Sequence, residues 1–133
     1  WDTSSLTEAI RAFELASVFN QSLSGWETGN LKYAGRMLRK TKFNNGNPEG
    51  VLDTGPGINQ WDTSSLQGTY RMFQESSFDQ NIGSWDTSKF GLGSNSGGSA
   101  IALMFTQTSF NNGGSDSIKN WDTANVMRFW RVI

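Results

Sequence analysis

Basic side chains concentrate in one short stretch of this 133-residue chain. Five of its eleven Lys and Arg residues fall within eleven positions: Lys32, Arg36, Arg39, Lys40 and Lys42. Guanidinium and ammonium groups bind carboxylate, sulfate and phosphate groups. The cluster is therefore interpreted in one of two ways. It is either a solvated face with no partner, or a docking patch for an acidic protein, a sulfated glycan or lipid headgroups.

Acidic residues recur along the chain at fixed positions. A Trp-acid-Thr triplet places carboxylates at Asp2, Glu27, Asp62, Asp86 and Asp122. We expect the acid and the Thr to accept the first amide protons of a following helix. A calcium-binding ladder is the alternative, although one carboxylate per triplet is sparse for a cation that takes about six or more oxygen ligands.

The sequence contains neither His nor Cys. His is the commonest general base and transition-metal ligand, and Cys is a common nucleophile. We therefore expect no catalytic residue, no metal site and no cofactor, and we predict that the protein is not an enzyme. The formal net charge of −1 gives no reason to expect nucleic acid as a partner. Any membrane contact is expected to occur only through a partner.

The acidic triplets belong to a tandem repeat that must position every one of these groups. The repeat-opening tryptophans are Trp1, Trp26, Trp61, Trp85 and Trp121. They divide a single domain, residues 1–133, into repeats 1–25, 26–60, 61–84 and 85–120 and a partial repeat 121–133. The second and fourth repeats are longer because they carry insertions rich in Gly, Ser and Asn, which we place in surface loops.

The second half of each repeat is equally regular. A phenylalanine recurs at Phe19, Phe43, Phe78 and Phe110, and each is followed by Asn or Asp. An aliphatic residue then precedes the next Trp by three positions, as Leu23 precedes Trp26. Stacking of the repeats would place the Trp and Phe residues in buried columns, and the Asn and Asp side chains would bridge the backbones of adjacent repeats.

Local spacing predicts one helix and one strand in each repeat. Leu6, Ile10, Phe13 and Ala16 fall at helical intervals, and Ser5 with Glu8 forms a capping box. The segment from the aliphatic residue through the acidic triplet contains β-compatible residues, which favours a short strand. The predicted fold is an α/β, leucine-rich-repeat-like solenoid of four and a fraction coils.

The string FDQNIGSWDTS from Phe78 to Ser88, with Met72 and Phe73 six residues before Phe78, resembles the repeats of BspA-like surface proteins. The resemblance covers nearly the whole chain. It implies an architecture similar to leucine-rich repeats and a surface or adhesion role, with an extracellular or cell-surface location. A location in an organelle, as part of a membrane-associated complex, is the alternative.

These observations favour a non-catalytic structural scaffold or protein–protein interaction module. One alternative is a structural or linker subunit within a large multi-subunit complex. Another is a carbohydrate- or calcium-binding surface module.

Apolar residues crowd the last positions of the sequence. They are Val126, Met127, Phe129, Trp130, Val132 and Ile133. Because a terminal repeat without a polar cap exposes an apolar face, we expect further repeats or a protein partner to cover the ends of the stack. The sequence also opens on Trp1 without an initiator Met. We therefore expect a fragment or a subunit of a larger assembly.

Overall fold

The computed structural model describes residues 1–93 and 100–126. Within these residues there is no α-helix and no β-strand, so the predicted α/β solenoid with a strand and a helix in each coil is wrong. The regular elements in this part of the chain are short 3₁₀ helices at Ile58–Gln60, Asn112–Gly114 and Ser117–Asn120. Isolated parallel bridges join Tyr33 to Glu8 and to Gly68.

Overlapping β-turns occupy the segment that was predicted to be helical. The amide of Ala12 donates to the carbonyl of Ala9, and Glu14 donates in the same way to Arg11. Arg11 and Leu15 have φ angles of 59° and 66°, in the left-handed region that ends an α-helix. Equivalent pairs of left-handed residues recur in the next three repeats: Arg36 and Lys40, Arg71 and Glu75, Leu103 and Gln107.

Hydrogen bonds between repeats explain why these turns replace the helix. Alternate amides of repeat one, from Ala9 to Leu15, donate to carbonyls of repeat two at 2.8–3.0 Å. The same pattern links repeat two to repeat three and repeat three to repeat four. An α-helix would use these amides internally. The competing acceptors lie more than twenty residues away in sequence, so local periodicity could not reveal them.

Turns also replace the predicted strands. The amide of each Trp after the first donates to the carbonyl of the aliphatic residue three positions earlier, as Trp26 does to Leu23 at 3.1 Å. The acidic triplet leads directly into another turn, in which the amide of Leu6 donates to Thr3. Each repeat is therefore a succession of turns.

The predicted aromatic columns are present at the centre of this stack. Trp26, Trp61, Trp85 and Trp121 stack face to face, with ring centroids 6.1–6.4 Å apart and interplanar angles of 5–8°. A phenylalanine column runs beside them, through Phe19, Phe43, Phe78 and Phe110. The Trp column is fully buried only in the middle: Trp61 is 5% exposed and Trp85 is 4% exposed, but Trp1 is 91% exposed. Burial of Trp1 was thus predicted wrongly.

No helix long and apolar enough to cross a membrane occurs in residues 1–93 or 100–126.

Candidate functional site

The five clustered basic residues do not form one patch. Arg39 donates to Glu14 at 2.8 Å and to Gln74 at 2.9 Å, and Lys40 lies 3.4 Å from a Glu75 carboxylate oxygen. These two cations therefore serve contacts between repeats. Lys32 and Lys42 are exposed. Arg36 belongs to a different group of side chains.

Arg36 is the central member of a column of arginines. Arg11, Arg36 and Arg71 each stand ten residues after the Trp that opens their repeat, and each has a left-handed backbone. The hydrogen-bonded turns place these positions on successive repeats. Leu103 occupies the equivalent position in repeat four, and Arg131 has the same offset in sequence but lies outside the described residues. The constant offset from Trp could have revealed this column, whereas local clustering of charge could not.

Two tyrosines, Tyr33 and Tyr70, and two arginines, Arg11 and Arg36, line a shallow cleft of about 210 Å³. The guanidinium carbons of Arg36 and Arg71 lie 5.6 and 5.0 Å from the centroid of the Tyr70 ring. The cleft is completed by Ile10, Arg11, Tyr33, Gly35, Gly68 and Ala100. No carboxylate is among these lining residues, so the cleft carries positive charge.

Arg36 in the cleft and Arg71 beside Tyr70 form few contacts with other side chains of the protein. Neither Arg36 nor Arg71 forms an ion pair within residues 1–93 and 100–126. The Nε atom of Arg71 is buried and has no hydrogen-bond partner in that part of the chain. Arg11 lies 3.5 Å from Glu14, but its side chain is 60% exposed and Glu14 is already bound to Arg39.

The start of the glycine-rich insertion in repeat four passes beside the cleft. A Cβ atom added at Gly93 would collide with the Tyr33 hydroxyl and the Gln67 side chain. These two side chains are joined by a hydrogen bond of 2.9 Å from the Tyr33 hydroxyl to Gln67 Oε1. A side chain at position 93 would therefore force Tyr33 or Gln67 to move.

The recurrent acids act within single turns. Asp2 and Asp86 accept the amide and the hydroxyl of the Ser two residues later, and Asp122 accepts the amide of Ala124. Hydrogen bonds from these Ser side chains, followed by those from their amides, hold the pKa of Asp2 and Asp86 below the usual value, and the pKa of Asp62 is lowered in the same way by Ser64. The acids thus accept amide protons as expected, but from a turn instead of a helix.

A calcium ladder is the alternative interpretation of the acidic series. Among the described residues, no group of three or more Asp and Glu side chains is close enough together to hold a metal ion. The Thr that follows each acid turns inward: Thr3 Oγ1 accepts the Glu27 amide, while the hydroxyls of Thr28 and Thr63 are buried without a partner in the described chain.

The predicted Asn and Asp ladder is confirmed. Asn20 Oδ1 accepts the Asn44 amide at 2.7 Å, and Asn44 Oδ1 accepts the Asp79 amide at 3.1 Å. Asp79 in turn accepts the amides of Asn111 and Gly113. Each side chain therefore fixes the backbone of the next repeat.

Among the candidate end-contact residues, Val126 packs against the core and is 8% exposed. Met127, Phe129, Trp130, Val132 and Ile133 lie outside the described residues.

One sequence family matches the chain. Its description is Mycoplasma protein of unknown function, DUF285, and the match covers residues 1–54 and 51–133. The chain belongs to this family. Comparison with curated proteins and with solved structures found no match. This family is related to the BspA-like surface repeats that the sequence resembles. Its description assigns no activity to the cleft or to the stack.

Proposed function

We propose that the chain is a non-catalytic scaffold that extends its stack by binding further repeats, either of its own chain or of a partner protein. The recurring residues support this proposal because each has a structural task. The Trp and Phe rings stack, the Asn and Asp side chains bridge repeats, and the triplet acids hold turns.

The observation that carries the proposal is a row of backbone carbonyls on repeat one. In repeats two to four, carbonyls at four alternate positions accept amide hydrogen bonds from the preceding repeat. The equivalent carbonyls of repeat one are those of Glu8, Ile10, Ala12 and Glu14, and none accepts a hydrogen bond from the described residues. Such a row resembles the unpaired edge of a sheet, which readily pairs with an added chain.

Apolar side chains accompany these carbonyls. Trp1, Leu15 and Val18 are 91%, 62% and 87% exposed. The best-matched occupant of this face is another repeat of the same pattern, because it would offer amides at alternate positions and a Trp to stack on Trp1. A helix bonds its amides internally, so it cannot offer them at alternate positions.

The test is an extension of the stack. A copy of residues 61–84 is fused directly before Trp1, and a scrambled copy of the same composition serves as the control. The native copy is expected to raise the melting temperature and to reduce binding of a hydrophobic dye, because it covers the face of repeat one. If the native and scrambled copies have the same effect, repeat one does not accept a further repeat.

We further propose that the scaffold has a surface or adhesion role. The resemblance to BspA-like surface proteins supports this role. A linker subunit inside a large, membrane-associated complex is the alternative, because a repeat stack serves both tasks. Brief protease treatment of intact cells distinguishes them. If the protein lies at the cell surface, its full-length band on a gel should disappear after protease treatment. Full protection of that band would exclude a surface location.

A further inference from the structure

We propose that the cleft between Tyr33 and Tyr70 binds a linear polysaccharide that carries sulfate or carboxylate groups. This inference does not rest on the stacking function, because the cleft lies along the side of the stack and not on the face of repeat one.

The charge of the cleft selects an anion with repeated charges. Arg11, Arg36 and Arg71 stand on three successive repeats that are joined by parallel hydrogen bonds, so their backbones are spaced by about 4.8 Å. A guanidinium group binds carboxylate or sulfate oxygens through two parallel hydrogen bonds.

The shape of the cleft suits a sugar ring. Tyr33 and Tyr70 supply aromatic surface, and the small residues Gly35, Gly68 and Ala100 also line the cleft. The apolar face of a saccharide ring packs on aromatic surface such as the Tyr33 ring, while the guanidinium donors of Arg11 and Arg36 reach its oxygens.

The backbone of the cleft argues against an extended peptide that binds by main-chain pairing. Such a peptide needs free backbone groups as hydrogen-bond partners. Here the carbonyls of Tyr33, Gly35 and Tyr70 already accept amides of the preceding repeat at 2.8–3.0 Å, and those of Gly68 and Ala100 do the same. A polysaccharide needs no such pairing, because side chains alone can recognise it.

The proposal is tested by titrating the chain with dextran sulfate, polygalacturonate, uncharged dextran and polyglutamate. We expect binding to at least one of the two acidic polysaccharides and none to dextran. The double variant R36Q/R71Q should weaken that binding by about tenfold or more, because charge-assisted hydrogen bonds are lost. The pair R11Q/R36Q provides a second test that changes only arginines lining the cleft.

The matched control is K32Q/K42Q, which removes the same charge from exposed positions outside the cleft. It should change the affinity by less than about threefold. Tyr70→Leu should weaken binding without changing the charge. Circular dichroism of every variant shows whether the stack is intact. Equal losses in the arginine and lysine pairs would overturn the proposal, as would failure to bind either acidic polysaccharide. Tighter binding of polyglutamate with the same variant pattern would identify a peptide site instead.

Discussion

Single carboxylates make the stability of this stack sensitive to acid. Hydrogen bonds from Ser4, Ser64 and Ser88 lower the pKa of Asp2, Asp62 and Asp86 in the folded state. A group with a depressed folded pKa adds stability above its unfolded pKa, which is about 4, and that stability is lost as the pH falls through the folded pKa. We therefore expect the free energy of unfolding to decrease below about pH 4.

Urea titrations at several pH values measure this dependence. The double variant D62N/D86N should flatten the curve, because two of the three depressed groups are removed. An acid sensitivity that is unchanged in this variant would assign the effect to other carboxylates. The effect should be modest, since all three side chains are exposed.

Asn44 carries the most heavily used side chain of the polar ladder. Its amide donates to the Pro48 and Val51 carbonyls, and its oxygen accepts the amide of Asp79 and the side chain of Gln80. Because the Asn44 side chain is completely buried, the substitution Asn44→Ala leaves several polar groups without hydrogen-bond partners. We expect the free energy of unfolding to fall by about 3 kcal/mol. Asn30→Ala is the control: Asn30 is exposed and makes one bond, to Ser4, so its loss should stay below about 1 kcal/mol. Similar losses for both variants would contradict the assigned role of Asn44.

Sequence reasoning succeeded for residues that repeat at a constant offset. The Trp and Phe columns and the Asn and Asp ladder could all be predicted, because identical side chains at identical offsets must stack when repeats stack. The docking patch was less well predicted. Nearness in sequence grouped Arg36 with Arg39 and Lys40, but Glu14 and Glu75 from the adjacent repeats pair with the latter two. Those acids belong to other repeats, so the pairing depends on the stack and not on the local sequence.

The turns of repeat one distinguish the observed backbone from the predicted helix. Leu15 is 62% exposed and has a φ of 66°, which costs a residue with a side chain about 1 kcal/mol. Leu15→Gly should therefore stabilise the protein by about 0.5 to 1 kcal/mol. The neighbouring change Ala16→Gly should destabilise it by a similar amount, because Ala16 is not left-handed.

Chemical denaturation of the two glycine variants measures whether each change raises or lowers the free energy of unfolding. In a helix both changes would destabilise, by about 1 kcal/mol each. Destabilisation by Leu15→Gly would therefore favour the helix over the run of turns.

This element also shows why local pattern misled. The apolar spacing of Leu6, Phe13 and Ala16 fits a helix, and so does the capping box of Ser5 and Glu8. However, the inward positions of a run of turns recur with nearly the same spacing. Only the alternating hydrogen bonds to the next repeat distinguish the run of turns from a helix. These bonds join two repeats, so the sequence of one repeat cannot predict them.

The molecule as a whole is held together by its stacked core, and burial within that core increases toward the middle. Trp61 lies between Trp26 and Trp85, with ring centroids 6.2 and 6.1 Å away, and its indole nitrogen donates to the Leu23 carbonyl at 2.9 Å. Trp1 contacts Trp26 and Phe13 but is 91% exposed. Tryptophans at different positions of the column therefore contribute unequally to the free energy of unfolding.

The most direct test of a stack built by its recurring residues is the free energy of unfolding of Trp61→Ala beside Trp1→Ala, measured by urea denaturation. Trp61→Ala should lose about 3 to 5 kcal/mol, because it opens a cavity in the centre of the column and removes one of the two donors to the Leu23 carbonyl. Trp1→Ala should lose less than about 1 kcal/mol, since little of its surface is buried. Equal losses at the two positions, or a Trp61→Ala variant as stable as the parent, would contradict the stacked core.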